Sequence, residues 1–298
     1  MNHRPESSYI ENVWAQAFQT IQRINYITTH LENNTETYSK PYYHILRVLR
    51  AMLYLDMIQH WGDLPFFTKH SSIEDMDLSR IHKAEIYKAL LVDLTESLPY
   101  LNENTEQEHM FVSQDLANAL IAAIHLENED YNIAKTYYEK VINNRISISI
   151  DNSVYNDINN TEALFTLTYR ENYNDANYDF SSFLKKGNFH PIYRNISIQL
   201  NYSETLLALN KTSELLTVLN KVRAAGNMES LSQLPESPKY EIASLWSKFI
   251  GSDYGYFNTL IRLGIAVELL DIQPYELLYP IPIRELHANQ YMTQNPGY

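Results

Sequence analysis

Apolar residues recur at helical spacing over most of this chain. Ile45, Val48, Leu49, Met52 and Leu55 fall three or four apart, and Leu46, Leu53 and Met57 lie on a second side of the same stretch. A helix apolar on two sides sits between neighbours rather than on a surface. Tyr87, Leu91, Leu94, Leu98 and Leu101 give another helical run. Leu116, Leu120, Ala123 and Ile124 predict one helix and Tyr131, Ala134, Tyr138 and Val141 the next, with Asn128–Asp130 as a tight turn. Asn128 suits the left-handed residue that ends the first helix, and Asp130 suits the cap of the second. The same unit recurs at Ile196–Leu209 and Thr212–Ala225, joined by Asn210–Lys211, and a third pair is expected at Tyr240–Ile250 and Asp253–Leu270. Helix pairs of roughly 34 residues predict an all-α fold built by tetratricopeptide-like stacking.

Two stretches interrupt the helical text. Lys69–Arg80 is a polar connector, and Asn143–Pro191 is long, irregular and rich in Asn, Tyr and Asp. Within the second, the alternating RISISI segment fits a short strand. A long irregular segment inside a compact helical domain is more often functional than accidental.

Composition narrows the function classes. The chain has 298 residues, enough for one large domain or two ordinary ones, and 45% hydrophobic with 20% charged residues excludes wholesale disorder. Lys and Arg number 23 against 36 Asp and Glu, a net charge of −13 that repels phosphate and argues against a nucleic-acid partner. There are 7 glycines, too few for Gly-rich nucleotide loops, and no cysteine, so neither thiolate metal sites nor cysteine nucleophiles arise. The 24 tyrosines stand out, because they suit packed helices and also surfaces that stack on sugars or other flat ligands. No apolar run approaches the roughly 18 residues of a membrane span. The opening MNHRPESSYIENVW carries no signal pattern, so a soluble chain without a leader is expected.

Catalytic signatures are missing. HExxH, GxSxG, the P-loop and GxGxxG do not occur, and acidic pairs such as Glu74/Asp75 and Glu129/Asp130 fall in turns. The run from Asn172 to Asp179 places oxygen ligands at alternate positions but lacks the central Gly and terminal Glu of a calcium loop. No enzyme activity, metal or cofactor is therefore expected. For binding, Tyr169, Asn172, Tyr173, Asn174, Asp175, Asn177, Tyr178 and Phe180 alternate aromatic rings with amides and a carboxylate, which suits stacking plus hydroxyl recognition. The loop Asn33–Tyr38 is a second candidate.

Five stretches occur in a recognisable order: YYHILRVLRAMLYLDMIQHWGDLPFF at Tyr42–Phe67, the Arg80–Leu101 helix, DLANALIAAIHLENEDYNIAKTYYEKVI, LNKVRAAGN at Leu219–Asn227, and the C-terminal LLYPIPIRELHANQYMTQNPGY. WAQAFQTIQRIN at Trp14–Asn25 precedes them. This ordered set resembles the SusD/RagB family of outer-membrane nutrient-binding lipoproteins. The resemblance implies one SusD-like domain over residues 1–298, with about four tetratricopeptide-like helix pairs supporting a looped binding face and the 143–191 segment inserted between pairs. It implies capture of an oligosaccharide or other small nutrient at the outer surface of the outer membrane, without catalysis. The implied partner is a SusC-like TonB-dependent transporter, and membrane contact would run only through a lipid anchor outside these residues. A tetratricopeptide-type scaffold for a protein or peptide and a binder of a non-sugar nutrient remain alternatives. An all-helical glycoside hydrolase ranks last, because no convincing carboxylate pair is visible. Trp61 in WGDLP is expected as a packing anchor, the terminal Asn295–Gly297 as a closure that docks the tail, and Arg47, Arg50, Arg223 and Arg262 as helix-surface or inter-helix ion partners.

Overall fold

A computed structural model describes residues 4–32, 39–71, 78–102, 111–145, 148–150, 153–157, 160–168, 189–251 and 255–298. Twelve α-helices and one two-stranded sheet occur among the described residues, so the expected helical fold with paired helices holds. The chain groups into two compact units, Met1–Leu101 with Gly264–Tyr298, and Asn102–Leu263.

The first unit contains α1 (Ser8–Glu32), α2 (Ser39–Trp61) and α3 (Lys83–Ser97). Here α2 packs against both α1 and α3. Its two-sided apolar pattern is explained by that position, with Val48, Ala51, Tyr54, Leu55 and Ile58 all buried. Arg50 and Arg47 are buried between helices rather than exposed. Arg50 donates from Nη2 to Asp93 at 2.6 Å and from Nη1 to Asn25 Oδ1 at 2.9 Å and the Thr68 carbonyl at 2.7 Å. Arg47 reaches Asp93 and Glu96.

The WGDLP turn and the C-terminal tail meet in this unit. Trp61 is 1% exposed, packs edge-on against Trp14 and Tyr279, and donates from Nε1 to the Pro280 carbonyl at 3.0 Å. Asn295, itself buried, donates to the carbonyls of Trp61 (3.0 Å) and Tyr279 (2.7 Å) and accepts from Arg80 Nη2 at 2.6 Å. Gln294 bonds both the N–H and the C=O of Ile281. Gly297 adopts φ +100°, and a Cβ there would lie 2.4 Å from Cβ of Tyr275, so the tail crosses the Tyr275 side chain where no other residue fits. The tail docks as expected. The short helices α11 (Ala266–Leu270) and α12 (Ile283–Ala288) complete the unit.

The second unit holds α4 (Gln114–Glu127) with α5 (Tyr131–Asn144), α6 (Ser153–Asn156), strands β1 (Ala163–Thr168) and β2 (Phe189–Arg194), α7 (Asn195–Ala208) with α8 (Thr212–Ala225), α9 (Pro238–Phe249) and α10 (Tyr256–Arg262). Its core is shared by Leu126, Tyr138, Val141, Leu200, Leu206, Leu219, Ile242 and Trp246, so α4, α5, α7, α8 and α9 close on one apolar interior. The α4–α5 turn differs in detail from expectation. Glu129, not Asn128, takes the left-handed conformation (φ 61°), and Asp130 makes no capping bond; its carboxylate accepts from His125 Nδ1 at 3.1 Å. In the α7–α8 turn Asn210 is left-handed as its chemistry favours (φ 55°).

Two further expectations are corrected. The single helix foreseen over Asp253–Leu270 is two short helices, α10 and α11, separated at Gly264 with φ +67°. The described residues of RISISI, Arg145 and Ile148–Ile150, are not in a strand. Ile148 and Ile150 pack on the core, and the Ser149 backbone is engaged by side chains: its N–H donates to Glu162 Oε2 (3.2 Å) and its carbonyl accepts from Arg194 Nη2 (3.0 Å). With those groups occupied, no neighbouring strand is needed.

Candidate functional site

The loop proposed from sequence, Tyr169, Asn172, Tyr173, Asn174, Asp175, Asn177, Tyr178 and Phe180, lies outside the described residues, as does Asn33–Tyr38. The residues on either side of the first are described. Strands β1 and β2 pair antiparallel, with Phe165 opposite Tyr193, Thr166 opposite Pro191, Leu167 opposite His190 and Thr168 opposite Phe189. The last residue of β1, Thr168, is thus paired with the first of β2, Phe189. The register is irregular between Ala163 and Thr166, and consecutive Leu164, Phe165 and Thr166 are all buried.

Four charged groups hold this hairpin to the helices. Arg145 follows α5 and is 3% exposed. It donates from Nε to Asp115 on α4 at 2.9 Å, and from Nη1 to the carbonyls of Thr161 (3.0 Å) and Ala163 (2.9 Å). Asn144 supports the same carboxylate by donating to Oδ1 of Asp115 at 3.0 Å. Glu162, just before β1, is 1% exposed and accepts from the N–H of Ile196 at the start of α7 (2.9 Å) and from the N–H of Ser149 (3.2 Å). Arg194 at the end of β2 lies 3.6 Å from the Glu162 carboxylate. Burial pushes the Glu162 carboxyl up to about 7, and Arg194 and the two backbone donors pull it back only in part. The two arginines balance the two acids, and three separate segments are tied through one carboxylate. Charge-assisted bonds of this kind fix a loop base without relying on strand length.

A second buried charge cluster is structural. Arg262 on α10 grips Glu204 on α7 with Nε (2.7 Å) and Nη2 (3.0 Å), and reaches Glu127 at the end of α4 with Nη1 (2.7 Å). Burial opposes its charge, but Glu204 and Glu127 outweigh that and hold its pKa above the ordinary value. Burial raises Glu204, with Arg262 opposing. Of the two roles expected for Arg262, helix-surface or inter-helix partner, the structure shows the second, as it does for Arg223, which pairs with Glu241 on α9. The β-hairpin and its anchors Arg145, Glu162 and Arg194 were not foreseen. The signal available was the β-branched and aromatic content of ALFTLT and FHPIYR.

Paired helices around a shared core define a helical-repeat scaffold. Residues 2–126 match a SusD-like family model described as starch-binding and associating with the outer membrane. A SusD-like protein of Formosa agariphila is 21% identical over 199 residues, which span 61% of this chain and 38% of that relative. A SusD superfamily protein of Bacteroides vulgatus superposes with a TM-score of 0.83 at 15% identity, over 99% of this chain and 87% of that one. A SusD-like carbohydrate-binding protein of Bacteroides fragilis gives 0.81 at 15% identity, over 98% and 87%. A laminarin-binding SusD-like protein gives 0.78 at 16%, over 96% and 85%. The family-model match covers residues 2–126, and the likeness in fold to the solved structures extends over nearly the whole chain.

Proposed function

We propose that this chain is a surface glycan-binding subunit that captures an oligosaccharide and passes it to a SusC-like TonB-dependent transporter, associated with the outer membrane and acting without catalysis. The observation that carries the reading is the hairpin stem. The sequence between Thr168 and Phe189 is rich in Tyr and Asn, and those two residues are a strand pair of a hairpin held by Glu162, Arg145 and Arg194. Sugar C–H faces stack on Tyr rings while Asn and Asp side chains bond hydroxyls. The family's description as starch-binding and the laminarin-binding and carbohydrate-binding relatives support the same ligand class. We take both compact units as one family domain, since single relatives align with almost the whole chain.

The test is retention of the purified chain in native gels cast with a polysaccharide it binds, compared with Tyr173→Ala and Tyr178→Ala. Reduced retention of both variants supports the loop as the binding surface. Unchanged retention removes it from the site.

A further inference from the structure

Tyr100 closes a short 3-10 turn, Leu98–Tyr100, that follows α3 directly and contains Pro99. Its ring lies flat on His44 of α2, with centroids 4.0 Å apart and planes 5° from parallel. His44 is only 8% exposed, while Tyr100 remains 44% exposed. One face of Tyr100 is therefore spent on the imidazole, while the residue as a whole stays 44% exposed. Tyr43 meets the same imidazole edge-on at 5.1 Å, so the underlying ring is held from two sides.

The imidazole is fixed in charge and tautomer. Ser97 Oγ donates to the Asp93 carbonyl (2.7 Å), so at 3.1 Å from His44 Nδ1 it accepts, and Nδ1 carries the proton. Burial and the Arg47 guanidinium hold His44 below its ordinary pKa, with Glu96 and Asp93 opposing and Lys40 adding to the lowering. Beside the stack, Arg47 Nη2 holds the Glu96 carboxylate at 2.7 Å while that side chain stays 60% exposed.

Among the described residues Tyr26 is more exposed, at 50%, but its neighbour His30 is tilted by 46° rather than flat. Tyr137, stacked on His125 at 6.3 Å, has the Lys140 ammonium 4.0 Å from its ring centroid. An open aromatic face that is rigid before binding, flanked by a positioned hydroxyl acceptor, is what a pyranose ring needs, because little side-chain entropy remains to be lost. A carboxylate at its margin on a chain of net charge −13 disfavours acidic sugars.

We propose that Tyr100 is a stacking subsite for a pyranose of a neutral oligosaccharide, its free face taking the sugar's C–H face while Glu96 accepts a hydroxyl. This rests on the glycan-binding reading but not on the 169–188 loop. The experiment is calorimetric titration of the full chain, Tyr100→Ala and Tyr100→Phe with laminarin, amylopectin, xylan, galactomannan and anionic polygalacturonate. Thermal melting establishes that the variants fold. The expected result is binding of a neutral glycan that Tyr100→Ala weakens by about two- to tenfold, the range of one aromatic stacking contact, while Tyr100→Phe keeps it. Equal binding by wild type and Tyr100→Ala overturns the subsite and leaves the glycan reading standing. An equal loss in both variants overturns the stacking argument, and Tyr100-dependent binding of polygalacturonate overturns the preference for neutral sugars. Wild type that binds none of the five overturns subsite and reading together.

Discussion

Removing the Asn295 side chain tests how the C-terminal tail is secured. Asn295 is 4% exposed and its amide makes three bonds: to the Trp61 carbonyl, to the Tyr279 carbonyl, and from the Arg80 guanidinium. Neutral bonds contribute about 1 kcal/mol each and a charged one about 1.5–3 kcal/mol. The Trp61 carbonyl keeps its bond from Arg80 Nη2 at 3.1 Å, so that acceptor is not stranded in Asn295→Ala. The expected loss is about 3 kcal/mol, which for a unit of this size lowers the midpoint of thermal unfolding by about 10 °C. Asn295→Asp is expected to be at least as damaging, because it keeps the shape but turns a carboxylate towards two carbonyls. Tryptophan fluorescence is the assay, since Trp14 and Trp61 both lie in the unit concerned. The exposed Gln290→Ala serves as control, with an expected change within about 0.5 kcal/mol. A midpoint for Asn295→Ala within about 2 °C of that control refutes the reasoning.

Further outcomes are expected at the buried charges. Arg262→Ala removes the cation paired with Glu127 and Glu204 and costs about 3–5 kcal/mol in denaturant unfolding, whereas adding Glu127→Gln and Glu204→Gln recovers most of it. Failure of that recovery contradicts the ion-pair account. For Glu162, the folded-state pKa near 7 lies above the ordinary 4.5, so its contribution to stability is complete below 4.5 and is lost as pH rises through 7. The change amounts to about 3 kcal/mol for this deeply buried group. Glu162→Gln should therefore flatten the stability profile between those values, and parallel profiles for the two proteins contradict the assignment.

What the sequence made legible follows the range of the physics. The pairs α4–α5 and α7–α8 were readable to within one or two residues, because each helix repeats its apolar side over several turns and ends in a short polar turn. The docking of Asn295–Gly297 was readable from its chemistry. The β-hairpin was not, since Leu164, Phe165 and Thr166 are buried in succession and leave no alternation to detect. RISISI alternates convincingly, but its Ser149 backbone is bonded by Glu162 and Arg194, partners 13 and 45 residues away. The stem anchors were hidden for the same reason, as nothing local marks Arg145 as the partner of Asp115, 30 residues earlier. The candidate residues Tyr169–Phe180 rest on residue type alone, whereas the strand pairing beside them required the fold.

The most direct test of the central claim is isothermal titration of the wild-type chain, shown to be folded, against soluble plant and host polysaccharides. Saturable heat from one glycan class is the predicted result. Heat from none of them contradicts the account of this chain as a glycan-capturing protein.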